Sequence, residues 1–345
     1  MGSSKNIHLI TSMGSGGTQK VLYEYLKSIS DDALSNILVF SIKKGGGYRI
    51  KIERLGVPVY DLCSLEGIKF FLLSIISSKG YVKAWMYHAC FLSILFKVNF
   101  KRDIFWSIHH GKLDFKTDSI STIVFALASS FFSWFVPRKI IFVSDFCLNQ
   151  HLKVFFSKRK SVVIYNCVMK KGIKADLSSR EKVISFVGRD HPNKNLNLFL
   201  LLCERLESFD KNIVYYIVGD GTDKYADKYK NNSKYIFWGE VSNIYEIFSK
   251  TNVYVCTSYV ESFGLSVVEA IFTGCHVVCP NESIFKEISD GKASFYRQDD
   301  LDDLVCKVSS LVFKDVNLNE GMDDFYKKYS KESTFKKIAL LLGDK

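Results

Sequence analysis

Short apolar, β-branched runs alternate with longer amphipathic stretches along this chain, and the alternation restricts the fold more than any other feature. Such a pattern is typical of α/β proteins with parallel sheets. The runs form two series joined near residues 161–169, and 345 residues exceed the roughly 250–300 at which single cores stop growing. We therefore expect two domains. The predicted strands are 6–11, 35–40, 57–60, 81–85, 104–108 and 139–143, then 183–187, 213–218, 236–238, 253–257 and 276–279.

One segment, residues 120–136, contains no charged residue and needs a separate interpretation. Its 17 residues fall short of the roughly 20 that a membrane-spanning helix requires, and four of them are serines. We predict a buried or interfacial helix.

The cysteines and the amino terminus indicate the compartment. None of the nine cysteines forms a Cys-x-x-Cys pair, which favours reduced thiols in the core of a cytosolic protein over zinc or disulfides. No long apolar run follows the first charged residue, so we expect no secretory signal.

Positive charge is concentrated in the first half of the chain. Residues 1–170 contain 23 Lys or Arg and 10 Asp or Glu, a net charge of +13, whereas the remainder carries 24 and 26. This asymmetry predicts a polyanionic or membrane partner for the first half. No nucleic-acid-binding motif accompanies the charge, so we expect no nucleic acid partner.

A glycine turn at residues 14–18, with Gly16 and Gly17, follows the first predicted strand. Gln19 occupies the place of the last glycine in G-x-G-x-x-G, and a P-loop cannot be aligned with the segment. The turn leaves amides at a helix start for phosphate or a close ligand, or it is a tight turn only.

Two elements of the second half carry charges at predicted strand ends. Arg189 and Lys194 follow the strand 183–187 and either neutralise a diphosphate or are solvated surface charges. Glu261 and Glu269 enclose a helix predicted to start near Phe263. Eight residues span roughly 12 Å of helix, which is too far for a glycosidase pair and suits two ends of one extended ligand. The apolar neighbours of Glu269 argue against an exposed position.

Histidines follow two predicted strands of the first half, at His88 and at His109-His110. Ligands of α/β sheets bind at such strand ends, which favours a functional role. Asp300 and Asp302 have metal-binding D-x-D spacing, but we interpret them as the acidic start of a helix.

Together these elements resemble the retaining glycosyltransferase family 4, which includes bacterial O-antigen and capsule polysaccharide glycosyltransferases. The most specific part is the order G-R-x4-K at residues 188–194, G-D-G at 219–221 and E-x7-E at 261–269. Two elements depart from the family pattern, since Gln19 replaces an acid and Cys167 replaces a glycine.

The resemblance implies an α/β chain with the GT-B fold, in which two Rossmann-like α/β/α domains face each other across a cleft. We expect an acceptor-binding domain over residues 1–167 and a nucleotide-sugar-binding domain over 168–325. A terminal helix in 326–345 should return to the first domain.

The resemblance also implies residue roles. Arg189 and Lys194 would stabilise the leaving diphosphate, and Glu261 would hold hydroxyls of the donor sugar. Glu269 would hold the ribose, while His110 matches the pocket histidine of the family. The remaining predicted donor-site residues are glycines and backbone amides: Gly16, Gly17, Gly188, Phe263, Gly264 and Leu265.

The implied reaction moves a sugar with retention from a UDP- or GDP-sugar to a lipid-linked oligosaccharide, without metal or cofactor. The implied location is the cytoplasmic face of the cell membrane, as a peripheral enzyme bound to anionic lipid. Two alternatives remain open: a nucleotide-sugar 2-epimerase of the same fold, and a non-catalytic glycan- or lipid-binding scaffold.

Overall fold

The chain folds as two units in the computed structural model, which describes residues 5–14, 16–76, 80–99, 102–115, 118–168, 182–314 and 322–343. The first unit comprises Met1–Cys167 with Lys331–Lys345, and the second comprises Val168–Ser330. Residues 326–330, which we expected in the terminal helix, belong to the second unit. Tyr329 anchors them there, because its ring lies 5.0 Å from that of Phe325 and 5.6 Å from that of Phe263.

The described part of the first unit contains a seven-stranded parallel sheet in the order β3-β2-β1-β4-β5-β6-β7. Its strands are β1 (Asn6–Ile10), β2 (Ile37–Ser41), β3 (Val59–Asp61), β4 (Tyr81–Trp85), β5 (Asp103–Ile108), β6 (Lys139–Phe142) and β7 (Ser161–Val163). Its helices are α1 (Gly17–Lys27), α2 (Asp31–Leu34), α3 (Gly47–Glu53), α4 (Leu65–Ile76), α5 (Tyr87–Leu92), α6 (Ile120–Phe132) and α7 (Asp145–Leu152).

The second unit forms a six-stranded parallel sheet, within its described residues, in the order β10-β9-β8-β11-β12-β13. Its strands are β8 (Val183–Val187), β9 (Val214–Val218), β10 (Tyr235–Gly239), β11 (Val253–Val255), β12 (His276–Pro280) and β13 (Ser294–Tyr296). Its helices are α8 (Leu196–Glu207), α9 (Ala226–Tyr229), α10 (Ile244–Phe248), α11 (Leu265–Phe272), α12 (Ser283–Ser289), α13 (Leu301–Val312) and α14 (Met322–Lys328).

The last helix, α15 (Lys331–Leu342), packs into the first unit. Phe335 places its ring 5.7 Å from that of Tyr25 on α1. Lys331 forms an ion pair of 2.7 Å with Glu24 on the same helix. An apolar and an ionic contact thus fix the return of the chain.

Two strands were not predicted, β7 and β13. Each has three residues and lies at an edge of its sheet. Residues 161–163 lie in the segment that the sequence analysis interprets as the junction of the two series, whereas in the structure they pair with β6.

Both sheets reverse their strand order once, between β1 and β4 in the first unit and between β8 and β11 in the second. Neighbouring connections run to opposite sides of the sheet at such a point, which opens a crevice at the carboxyl ends of the strands. The two reversal points therefore mark where each unit is built to bind a ligand.

Candidate functional site

At the reversal point of the second unit, a basic and an acidic side chain meet. Lys194 ends the 3₁₀ turn Pro192–Lys194 after β8, and Glu261 lies in the loop after β11. The Lys194 ammonium pairs with Glu261 Oε1, and the two side chains are 23% and 14% exposed. Two residues that the sequence analysis singled out separately thus form one ion pair.

The environment keeps Lys194 protonated. Burial acts to lower the pKa of this side chain, but the Glu261 carboxylate outweighs that effect, and the pKa lies above its ordinary value. A half-buried, permanently charged ammonium at the end of a parallel strand is suited to bind a phosphate.

Asn193, which the sequence analysis did not single out, holds these two loops together. Its side-chain amide donates to the carbonyl of Val260 at 2.7 Å, and its Oδ1 accepts from Val260 N at 3.1 Å. Its own carbonyl accepts from Tyr259 N at 2.9 Å. Three bonds place Glu261 beside Lys194, so Asn193 is a positioning residue. An asparagine in a turn-forming stretch is too common to reveal such a role from sequence.

Glycines allow the adjoining turns to approach each other closely. Gly188 N donates to Val218 O at 2.9 Å, and a Cβ at Gly188 would lie 3.2 Å from the stem of Lys194. Gly219 has a φ of +142°, and its Cβ would lie 1.9 Å from Gly188 O. Arg189 is exposed at this edge and forms no ion pair with any residue that the structure describes.

The helix after Glu261 begins two residues later than predicted. Gly264, with a φ of +73°, caps α11, which starts at Leu265. Phe263 therefore precedes the helix, and its side chain is buried against Tyr329. The amide of Val267 already donates to Gly264 O at 3.0 Å. The amides of Leu265 and Ser266 precede it at the helix start, where an anion can bind.

Glu269 is 4% exposed, as its apolar neighbours predicted. Its Oε1 lies 3.5 Å from the hydroxyl of Tyr245 on α10. The two glutamates of the E-x7-E element are therefore unlike, since Glu261 lies in a loop at the strand ends and Glu269 on the buried face of α11.

The D-x-D segment is a helix start, as predicted. The Asp300 carboxylate caps α13 by accepting from Asp303 N at 2.9 Å. Arg297 pairs with Asp300 at 2.8 Å, and Arg205 pairs with Asp302 at 2.9 Å.

In the first unit, the glycine turn leads into α1. Gly16 is the residue before the helix, and a Cβ there would lie 2.5 Å from Gln19 Oε1. The Gln19 amide donates to Ser12 O at 2.9 Å, so the side chain that replaces the family acid ties the turn to the end of β1. Gly17 opens the helix at the reversal point.

His109 follows β5 directly and is partly buried. Its Nε2 lies 3.0 Å from Ser107 Oγ, and its ring lies 5.4 Å from that of Trp85. Burial and the neighbouring Lys83 ammonium lower its pKa to about 3. This histidine is therefore neutral at physiological pH and contributes to the interior.

His110 occupies a different environment, beside a carboxylate that the sequence analysis did not identify. Its Nε2 lies 3.2 Å from Asp118 Oδ1, and the side chains are 24% and 18% exposed. Its Nδ1 has no hydrogen-bond partner among the described residues. Asp118 Oδ2 accepts from Asp114 N at 2.8 Å, which fixes the loop. An oriented imidazole at a strand end can hold or pass a proton.

A further histidine of the first unit, His151, should make the free energy of unfolding depend on pH. Its Nε2 accepts from the Tyr87 hydroxyl at 2.5 Å, and its Nδ1 donates to Cys147 O at 2.7 Å. Burial lowers its pKa to about 4, so the unfolded state binds the proton first as the pH falls. We expect a loss on the order of 3 kcal/mol between pH 6.5 and about 4.

Denaturant unfolding at about pH 7 and at about pH 5 measures this effect. Both pH values lie above the range in which most carboxylates titrate, so histidines account for most of the difference. His151→Gln keeps hydrogen-bonding groups without titrating, and we expect its stability to change less between the two pH values. An equal change in both proteins would contradict the assignment.

Comparisons with known proteins found a matching family model and solved structures with a similar fold. Residues 170–329 match the family described as glycosyl transferases group 1. HepE of Anabaena, solved in complex with UDP and glucose, has a TM-score of 0.80 at 16% identity, covering 99% of this chain and 100% of that one. The lipopolysaccharide outer core galactosyltransferase WaaB has a TM-score of 0.70 at 15% identity, with coverage of 99% and 100%.

A curated relative matches over part of its length. The phosphatidylinositol N-acetylglucosaminyltransferase gpi3 subunit of Schizosaccharomyces pombe is 23% identical over 184 residues. The match spans 50% of this chain and 40% of the relative. The described part of the chain thus has the GT-B fold, and residues 170–329 match the glycosyl transferases group 1 model.

Proposed function

We propose that this protein is a retaining glycosyltransferase of family 4 that uses a UDP- or GDP-sugar as donor. The observation that carries the proposal is the Lys194–Glu261 pair at the reversal point of a group 1 domain. The UDP and UDP-glucose complexes of HepE, which has the same fold, support a nucleotide-sugar donor.

In the proposed reaction, negative charge grows on the departing diphosphate while the sugar passes through an oxocarbenium-like state. Lys194, exposed Arg189 and the first amides of α11 would stabilise that charge from fixed positions. The departing phosphate would take the proton of the acceptor hydroxyl, so the reaction needs no separate base.

The other roles follow the family resemblance. Glu261 would accept hydrogen bonds from hydroxyls of the donor sugar, and its partner Lys194 would turn toward phosphate. Glu269 would hold the ribose. Gly188 and Gly264, which have no side chains, would let the diphosphate approach the backbone. Gly16, Gly17 and His110 belong to the first unit. By the resemblance, the two glycines would approach the donor diphosphate or the acceptor, and His110 would contact the donor near the departing phosphate.

The deciding experiment screens the purified protein against a panel of UDP- and GDP-sugars. A bound donor should raise the melting temperature by mass action, and one sugar should then be transferred to an acceptor. Conversion of a UDP-sugar without acceptor would indicate the 2-epimerase instead. Binding of glycan or lipid without any turnover would indicate a scaffold.

We propose a lipid-linked oligosaccharide of surface polysaccharide synthesis, O-antigen or capsule, as the acceptor, and peripheral attachment to the cytoplasmic face of the cell membrane. The net charge of +13 in residues 1–170 supports an anionic membrane partner, at about 1 kcal/mol for each engaged Lys or Arg. No described helix is long and apolar enough to cross a membrane. Transfer to lipid-linked and to delipidated glycan, compared side by side, tests the acceptor.

Transfer should survive chelation. We propose that Lys194 and Arg189 supply the cationic stabilisation, while Asp300 and Asp302 pair with arginines at the start of α13. We therefore expect unchanged turnover in EDTA, measured with the donor found in the panel. Loss of transfer in EDTA with recovery in magnesium or manganese would contradict this expectation.

A further inference from the structure

The helix α6 exposes an apolar face. Ile120, Val124, Leu127 and Phe131 follow at steps of four, three and four residues, which places them on one side of the helix. Ile120 is 81% exposed and Phe131 is 63% exposed. The turn after the helix adds Phe135, also exposed. Exposed apolar surfaces of this kind mark interaction sites.

A second set of exposed apolar residues lies on α4, on the same side of the sheet as α6. The connections from β3 through β6 all step in one direction across the sheet, so right-handed crossovers place α4, α5 and α6 on the same side. On α4, Leu65, Leu72 and Ile76 are exposed. We call the exposed apolar residues of α4 and α6 the apolar face.

A cluster of cations borders the carboxyl end of α6. Trp134 Nε1 donates to Phe155 O at 2.9 Å, and Ser157 N donates to Ser133 Oγ at 2.9 Å. These bonds hold the turn Lys158–Lys160 beside the helix end. Phe155, 79% exposed, projects from the same segment.

The cations of this cluster have no ion-pair partner among the described residues. Burial lowers the pKa of Lys160, and the positive charges of Lys97 and Arg159 nearby lower it further. Among the residues described, none of Lys97, Lys158, Arg159 and Lys160 forms an ion pair. Exposed aromatic residues next to unneutralised cations are the combination that binds an anionic bilayer.

We propose that the apolar face and this cation cluster dock the protein on an anionic bilayer, with α6 lying in the interface. The inference deepens the membrane attachment proposed above, on which it rests, by assigning the surface. A second copy of the chain is a poorer occupant, because a two-fold contact at this end of α6 would bring like charges together. A lipid surface neutralises the cations and accepts the aromatic rings at once.

Flotation with phosphatidylcholine vesicles that contain phosphatidylglycerol tests the assignment. We expect Phe131→Ser/Phe135→Ser to lower the bound fraction at least about tenfold, since two inserted rings are lost. The matched control is Phe209→Ser/Phe313→Ser, two exposed phenylalanines of the second unit, which should bind as the original protein does.

A second pair tests the charges. Arg159→Gln/Lys160→Gln should weaken binding and its salt dependence, whereas Lys230→Gln/Lys250→Gln removes equal charge from exposed positions of the second unit without effect. Equal binding of both pairs, equal recovery on pure phosphatidylcholine, or no binding at low salt would overturn the proposal. Dimer dissociation by the phenylalanine variant, seen in sedimentation, would assign the face to self-association instead.

Donor-induced melting shifts separate this proposal from the proposed function. The surface variants should keep the shift of the original protein. If the protein binds vesicles through this face but binds no nucleotide sugar, the docking surface is supported and the proposed function is contradicted. If it binds a nucleotide sugar but does not bind vesicles through this face, the proposed function is supported and the docking surface is contradicted.

Discussion

Replacement of Lys194 or of Glu261 by alanine is expected to lower transfer by at least about 10²-fold, the usual effect of removing one preorganised electrostatic group. Lys194 supplies a fixed positive charge at the strand ends, and Glu261 both orients it and faces the donor in our proposal. Steady-state kinetics with the donor from the panel measures the loss. Near-normal turnover of both variants would show that the donor site is elsewhere.

Stability must be separated from catalysis in this experiment, because each single variant leaves one half-buried charge without its partner. The double variant Lys194→Met/Glu261→Gln removes both charges, so it should regain stability and remain inactive. Lys182 and Asp210 provide a matched control, since they form an ion pair of 2.7 Å next to the amino ends of β8 and β9. Alanine at either position should leave transfer unchanged.

His110→Ala should lower turnover by at least about 10²-fold and more than His109→Ala does, because the family resemblance places His110 beside the departing phosphate, where negative charge grows. His110 is oriented by Asp118 and has a ring nitrogen without a described partner, whereas His109 packs on Trp85 and is neutral. His109→Ala should instead lower the free energy of unfolding.

Asp118 offers a graded version of the same test. Asp118→Asn keeps the size of the side chain and removes its charge, so a smaller loss than that of His110→Ala is expected. Transfer assays and denaturant unfolding of the three variants together give the ranking. Greater loss of transfer in His109→Ala than in His110→Ala would move the catalytic role by one residue.

Much of the fold was predictable because its strands are locally encoded. Apolar β-branched runs located eleven of the thirteen described strands, with ends that differ by a few residues. β7 falls within the segment interpreted as the junction of the two series, and β13 is a three-residue strand that was not predicted. The start of α11 shifted to Leu265 because Gly264 adopts a left-handed conformation, which depends on its packing against Ile288 as well as on its residue type.

The residues that support the candidate site were harder to predict from the sequence. Asn193 acts through Val260, 67 positions later, and Asp118 acts on a histidine eight positions earlier across a loop. Neither contact follows from local periodicity, since each depends on the path of a loop. Motif matching identifies ligand-facing residues more readily than the residues that hold those side chains in position.

By itself, the sequence determined the class of the fold, the positions of the glycine turns and the residue types that the chemistry would need, because strand period and turn propensity are local. The tertiary structure decided that β8 lies beside β11, which brings Lys194 to Glu261. It also decided that His109 packs on Trp85 while His110 pairs with Asp118, and that one face of α6 is left exposed. A hydrophobic period shows that a helix has an apolar side, but only the packing of the other elements determines whether that side is covered.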